Sequence, residues 1–226
     1  MIRLLFKGLL LLQIITVGAQ ASCNEEIAAQ NTIKIGVLGD SVFTSNPKGC
    51  GSLTHILRKT YQTKFVVNSA VGGATVLGFG SSAVRNQKLP WVPDILIVGG
   101  GGNDFGKCGP NMTCLRSKIN DLISKSLKSG GLHRAIQNNS NENTRVVIAY
   151  TSIVASHAPE KWQYMVSSGL GEMYAQRSRE YAEAYPNVEY FNLATVLDPN
   201  NTKHWLKDGF HPSSLGYELM AKALAQ

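Results

Sequence analysis

Apolar positions along the chain fall into short continuous runs that alternate with longer stretches of helical spacing. Residues 32–38 (Thr-Ile-Lys-Ile-Gly-Val-Leu) predict a strand. Residues 52–61 carry apolar side chains at 53, 56, 57 and 61, which is one face of a helix. Residues 65–67 predict a short strand. Residues 95–98 form an apolar run bounded by Pro93 and four glycines, as a buried parallel strand requires. Leu115, Ile119, Leu122, Ile123 and Leu127 share one helix face, and the pair Gly130-Gly131 predicts its stop. Residues 137–144 read as a polar loop, 146–150 as a strand, 161–184 as helical and 188–193 as a fifth strand. Pro212 predicts the start of a last helix, with Leu215, Leu219, Met220, Ala223 and Leu224 facing inward. There is no internal repeat and no linker. Strands that alternate with helices in one chain of this size imply a doubly wound α/β fold around a five-stranded parallel sheet.

The first residues do not fit that alternation. Arg3 and Lys7 precede the apolar run 8–17, and Gly18, Ala19, Gln20 and Ala21 form a small-residue exit. This is the pattern of a secretory signal peptide cleaved after Ala21, and it implies a secreted or periplasmic protein. The run is shorter than the roughly 20 residues of a membrane span, so no span is expected in the mature protein. A buried N-terminal helix is the rival reading, but the segment has no polar face. Gln20-Ala21-Ser22-Cys23 also approximates a lipoprotein box that would lipidate Cys23, without the usual large aliphatic residue three before the cysteine. Residues 22–226 then form one catalytic-sized domain.

Composition sharpens the picture. The 226 residues carry a formal charge of +7, which invites a nucleic-acid reading. Loss of Arg3 and Lys7 with the leader reduces it to +5. The remaining basic residues are scattered, with no run of five and no interleaved aromatics, so no nucleic-acid partner is expected. The four cysteines, Cys23, Cys50, Cys108 and Cys114, lie outside the leader, and an even count in an oxidising compartment suggests two disulfides. Three pairings are possible. The turn-rich loop between Cys108 and Cys114 can close on itself, which leaves Cys23 with Cys50. No Cys-x-x-Cys and no histidine at ligand spacing supports a metal. Three sequons, at Asn111, Asn138 and Asn200, matter only in a host that glycosylates exported chains.

In a doubly wound sheet, ligands sit at the carboxyl ends of the strands. Strand one is followed by Gly39-Asp40-Ser41, strand two by residues 68–75 with Gly72-Gly73, and strand three by Gly99 to Gly102 and Asn103-Asp104. Asp208-Gly209-Phe210-His211-Pro212 precedes the last helix. Together these segments contain the parts of an acyl-transfer site. Ser41 is the candidate nucleophile, His211 its base, and Asp208 the residue that orients the imidazole. The N–H groups of Ser41 and Gly73 and the Asn103 amide are candidate oxyanion donors. Each segment alone has an ordinary structural reading: a Gly-Asp-Ser turn, a flexible glycine loop, a capped helix start. Their joint order is what points to chemistry.

These blocks, Gly39-Asp40-Ser41, Gly73, Gly102-Asn103-Asp104 and Asp208-x-x-His211, resemble those of the SGNH hydrolases, the GDSL-type esterases and lipases. The resemblance runs from Ile33 to the C-terminal helix. It implies a flavodoxin-like three-layer α/β/α sandwich, no metal or other cofactor, a Ser41–His211–Asp208 triad, and an oxyanion hole of Ser41, Gly73 and Asn103. The chain departs from the common pattern in lacking Leu after Ser41, in having Ala70 where many relatives have Gly, and in having Gly72 where many have Ser.

The resulting expectation is an exported, monomeric serine esterase acting on short-chain acyl esters of small molecules, glycans or lipids. Export favours cell-wall or environmental esters, and no long amphipathic lid is visible. Trp91, Trp162 and Trp205 are candidates for stacking on sugar rings, against plain packing. His157, Lys161 and Trp162 lie in a segment that can border the site, whereas His55, His133 and His204 read as ordinary surface or half-buried histidines. Three rivals remain at this level: an acyltransferase on the same triad, a flavodoxin-like binding module for phosphate, and a non-catalytic carbohydrate binder. The phosphate reading lacks both Gly-x-Gly-x-x-Gly and Gly-Lys-Ser/Thr.

Overall fold

The computed structural model describes residues 30–44, 47–76, 84–106, 108, 111–121, 130–150, 154–167 and 169–226. The expected leader, Cys23, and Leu122, Ile123 and Leu127 of the predicted helix lie outside these residues. Five strands, β1 (Ile35–Leu38), β2 (Val66–Asn68), β3 (Ile95–Gly99), β4 (Arg145–Tyr150) and β5 (Val188–Asn192), form one sheet in the order β2-β1-β3-β4-β5. Every pairing is parallel, with Ile35 opposite both Val66 and Ile95.

Side-chain alternation along the strands sorts the core into two layers. Ile35, Val37, Ile97 and Val147 point to one face with Leu53 and Leu57 of α1 (Leu53–Thr60) and Met220 and Leu224 of α7 (Ser214–Leu224). Leu38, Leu96, Val98, Val146 and Ile148 point to the other, against Leu132 and Ile136 of α4 (Gly131–Asn139) and Ala175 of α6 (Leu170–Glu183). Continuous apolar strands with helices on both faces are the physical signature of a parallel sheet. The expected three-layer sandwich is therefore present.

Several helical boundaries differ from the sequence reading. Gly130-Gly131 starts a helix: Gly130 is the N-cap of α4 and Gly131 its first residue, while the residues just before the expected stop, 122–129, lie outside the described ones. The predicted polar loop 137–144 begins three residues late, because α4 runs through Asn139, which is buried and spends its amide on three internal hydrogen bonds. The described part of the preceding helix, α3, spans Met112–Asp121. Residues 161–184 are two helices, α5 (Glu160–Ser167) and α6, with Gly169 in the left-handed region between them. In α7 the inward face is Gly216, Tyr217, Met220, Ala221 and Leu224, and Leu215 is 39% exposed. The cap is Ser213, whose Oγ accepts from Gly216 N, so Pro212 stands just before the helix. Cys108 and Cys114 form a disulfide. Cys50 is disulfide-bonded too, while its expected partner Cys23 lies outside the described residues.

Candidate active site

The order β2-β1-β3 makes the chain wind one way from β1 and the other way from β3. The carboxyl ends of β1 and β3 thus flank the point where the winding reverses, where open α/β sheets form a crevice. Ser41 follows β1, and Asn103 lies in the short helix α2 (Gly102–Gly106) that follows β3.

Ser41 sits in a turn held almost entirely through its carbonyls. The Gly39 carbonyl accepts from Gln87 Nε2 at 2.7 Å and from Val71 N at 3.0 Å. That of Asp40 accepts from Phe43 N, and that of Ser41 from the Thr44 hydroxyl. The Phe43 carbonyl accepts from Asn68 Nδ2 at the end of β2. The carbonyls of Val42 and Thr44 both accept from the Tyr217 hydroxyl, at 2.9 and 3.1 Å. Val42 and Phe43 are fully buried beneath the turn. The N–H of Ser41, by contrast, donates to no acceptor among the described residues. A rigid turn with a spare donor is the local geometry that anion stabilisation needs.

The segment after β2 is tied to the same turn. Val71 N reaches Gly39 O, and Ala74 N closes a tight turn on Val71 O. Gly73 lies at the top of that turn with φ of +76°, a conformation that disfavours any Cβ although the space beside it is open. Its N–H also has no acceptor among the described residues. Asn103 is brought to the same turn, since its Nδ2 donates to Ala74 O at 3.0 Å and leaves a second amide hydrogen available. Asp104 is buried, and its Oδ2 accepts from Val76 N.

The Asp-x-x-His segment folds into a compact unit. Asp208 Oδ1 accepts from the N–H groups of Phe210 and His211, and its Oδ2 lies 2.6 Å from His211 Nδ1. Burial pushes the Asp208 carboxyl up, but the hydrogen bonds from His211 and Phe210 outweigh it and hold the group below its usual range. Gly209 adopts φ of +65°, and a Cβ there would come within 2.7 Å of the Ala158 backbone. Only glycine allows the loop after β4 to lie so close, and Ala155 N donates to Gly209 O there. Among the described residues, no hydrogen bond joins Ser41 Oγ to the His211 ring. Tyr217, fully buried in the helix that follows His211, holds the Ser41 turn through its hydroxyl, and burial, with the charges of Asp40 and Asp208, pushes that hydroxyl's pKa up.

Asp40 is unlike Asp208. It is fully buried, its Oδ1 accepts from Val42 N, and among the described residues no hydrogen bond reaches its Oδ2. Burial, with Asp104 nearby, pushes its carboxyl up to about 7 despite backbone N–H groups that favour the anion.

Sequence reasoning missed Tyr217 and Gln87, because their roles depend on contacts across 175 and 48 residues. It named Trp162, which stacks on Phe210 with centroids 4.3 Å apart and lies over Gly102 and Gly106 beside Asn103. Trp205 is a core residue that donates to Asp198 O, and Trp91 precedes β3 at the opposite edge of the sheet. His204 is held by Asp198 N and the Asn201 amide, His133 by the Tyr181 hydroxyl, and His157 is exposed. Lys161 is the second residue of α5.

A five-stranded parallel sandwich with these blocks at its switch point defines the SGNH class of α/β hydrolase. Residues 37–219 match the GDSL-like lipase/acylhydrolase family, and the chain belongs to it. The fold is also similar to that of solved proteins. One from Lactobacillus plantarum has 19% identity and a TM-score of 0.59, covering 85% of this chain and 94% of that one. The lipase Lip_vut3 from a goat rumen metagenome has 18% identity and a TM-score of 0.57, covering 85% and 96%. A lipase/acylhydrolase from Enterococcus faecalis has 17% identity and a TM-score of 0.54, covering 85% and 93%. No curated protein matches the chain.

Proposed function

We propose that this family member is an exported serine esterase that hydrolyses short-chain carboxylic esters. The observation that supports the reading most is the Asp208–His211 pair, with Nδ1 and Oδ2 2.6 Å apart, beside a Ser41 turn pinned by the Tyr217 hydroxyl, whose Ser41 N–H has no acceptor among the described residues. Ser41 is the nucleophile, and His211 takes its proton as the hydroxyl oxygen attacks the ester carbonyl. Asp208 holds the ring with Nδ1 protonated and stabilises the imidazolium. The developing oxyanion accepts hydrogen bonds from the N–H groups of Ser41 and Gly73 and from the Asn103 amide. His211 then protonates the leaving alcohol. Water, deprotonated by His211, cleaves the acyl-enzyme and frees the acid. Export is supported by the pattern of residues 1–21 and fits the Cys108–Cys114 disulfide. Among the described residues no helix is long and apolar enough to cross a membrane.

Ser41→Ala is expected to abolish p-nitrophenyl acetate turnover with an unchanged circular dichroism spectrum. Full residual activity would refute the assignment. A series of acyl chains from C2 to C16, beside an acetylated polysaccharide, is expected to favour the short chains. Product analysis with and without a sugar acceptor separates hydrolysis from acyl transfer.

A further inference from the structure

We propose that Gln87 is a positioning residue for the Ser41 nucleophile, a role that rests on the esterase reading above. Gln87 follows the short 3-10 turn Val84–Asn86 and is only 6% exposed. Its amide makes a two-point lock on one residue of the main chain. Oε1 accepts from Gly39 N and Nε2 donates to Gly39 O, both at 2.7 Å. This is the pairing that a neighbouring strand would offer, supplied by a side chain just where the β1 ladder ends. Gly39 is two residues before Ser41.

The lock is itself held in place. Gln87 N donates to Val84 O, and Gln87 O accepts from Asn139 Nδ2 at 3.1 Å. Asn139, buried in α4, also accepts from Leu89 N and donates to Ala135 O. Every polar atom of Gln87 is therefore engaged, and the chain of contacts runs from the second helical layer to the turn that carries Ser41. The same Gly39 carbonyl takes the Val71 N–H, which belongs to the turn bearing Gly73. Gln87 thus fixes the shared node on which the nucleophile turn and one oxyanion turn are both hung. It touches no reacting atom, so its effect is on where Ser41 Oγ and the Ser41 N–H point.

Two variants separate this role from a purely structural one. Gln87→Met removes both hydrogen bonds at similar volume. It is expected to lower kcat by on the order of ten- to a hundredfold with little change in KM. The second-order rate of Ser41 labelling by a fluorophosphonate is expected to fall in parallel. Gln87→Glu keeps the shape and the acceptor, but its carboxylate cannot donate to Gly39 O. Only its protonated form restores both bonds. Its labelling rate relative to wild type, measured at each pH, is expected to climb toward one on acidification. His211, Asp40 and Asp104 are present in both proteins, so the ratio reads what the new carboxyl at position 87 changes.

Wild-type labelling and kcat in a folded Gln87→Met variant, with only a lower unfolding temperature, would overturn the proposal. Should that variant not fold, the Glu variant decides: a rising ratio supports positioning, and a flat ratio refutes it. Failure of the wild-type protein to label at Ser41 would refute the esterase reading instead, so the two failures are distinguishable.

Discussion

Two carboxylates, Asp208 and Asp40, show how environment sets the charge of one side-chain type. Asp208 is 46% exposed and accepts three hydrogen bonds in a unit with His211. Its depressed pKa means that the stability it supplies is present above its unfolded-state value and is lost as pH falls through the folded one. Asp208→Asn keeps the shape but no longer accepts the Nδ1 proton with a charge. Activity on p-nitrophenyl acetate is expected to drop on the order of a thousandfold or more, with folding intact. Asp40 works in the opposite sense. The unfolded chain releases this proton near 3.8 and the folded chain holds it up to about 7, so the folded state binds more protons between those values. Stability therefore falls as pH rises through that window. Asp40→Asn is expected to flatten this dependence, read as urea midpoints compared at pH 4 and pH 7.5. An unchanged slope would place the buried charge elsewhere.

At the scale of elements, the strands were legible because a parallel sheet buried on both faces leaves unbroken apolar runs such as Ile95 to Val98. The places of Ser41, Gly73 and Asn103 were legible as the segments that follow those runs, whereas Asp208 and His211 stand before the last helix and were read from their spacing alone. What failed were helix phases and boundaries. The helix α4 after Gly130 was not anticipated, although Leu132, Ala135 and Ile136 form its buried stripe. Asn139 reads as solvent-facing, and its burial depends on partners at Gln87 and Leu89 that no local pattern announces. In α7 the expected inward face holds for Met220 and Leu224 but not for the exposed Leu215, and it missed the polar-tipped Tyr217, which is fully buried. Tyr217→Phe is expected to cost about 1–2 kcal/mol by leaving the Val42 and Thr44 carbonyls without their donor. Denaturant unfolding checks that figure. A parallel loss of kcat is expected, because the Ser41 turn loses its link to the last helix.

For the whole molecule, the sheet order matters more than any helix. It sets the end of β1 beside the end of β3 and gathers segments that are up to 170 residues apart at one edge. The Cys108–Cys114 bridge closes a small loop at the start of α3, just past the helix that carries Asn103. Removing so short a closed loop, by Cys108→Ser with Cys114→Ser, is expected to cost about 2 kcal/mol in thermal unfolding. The Tyr217 link has a further consequence for the order of events in synthesis. A nascent chain carries Ser41 first, and the proposed base and the hydroxyl that steadies the serine turn follow about 170 residues later. On this chemistry an unfinished or unfolded chain is inert toward the esters it meets on the way to its destination. Ester cleavage then reports the closing of the final helix, and activity can serve as a readout of completed folding in any search for export or refolding conditions.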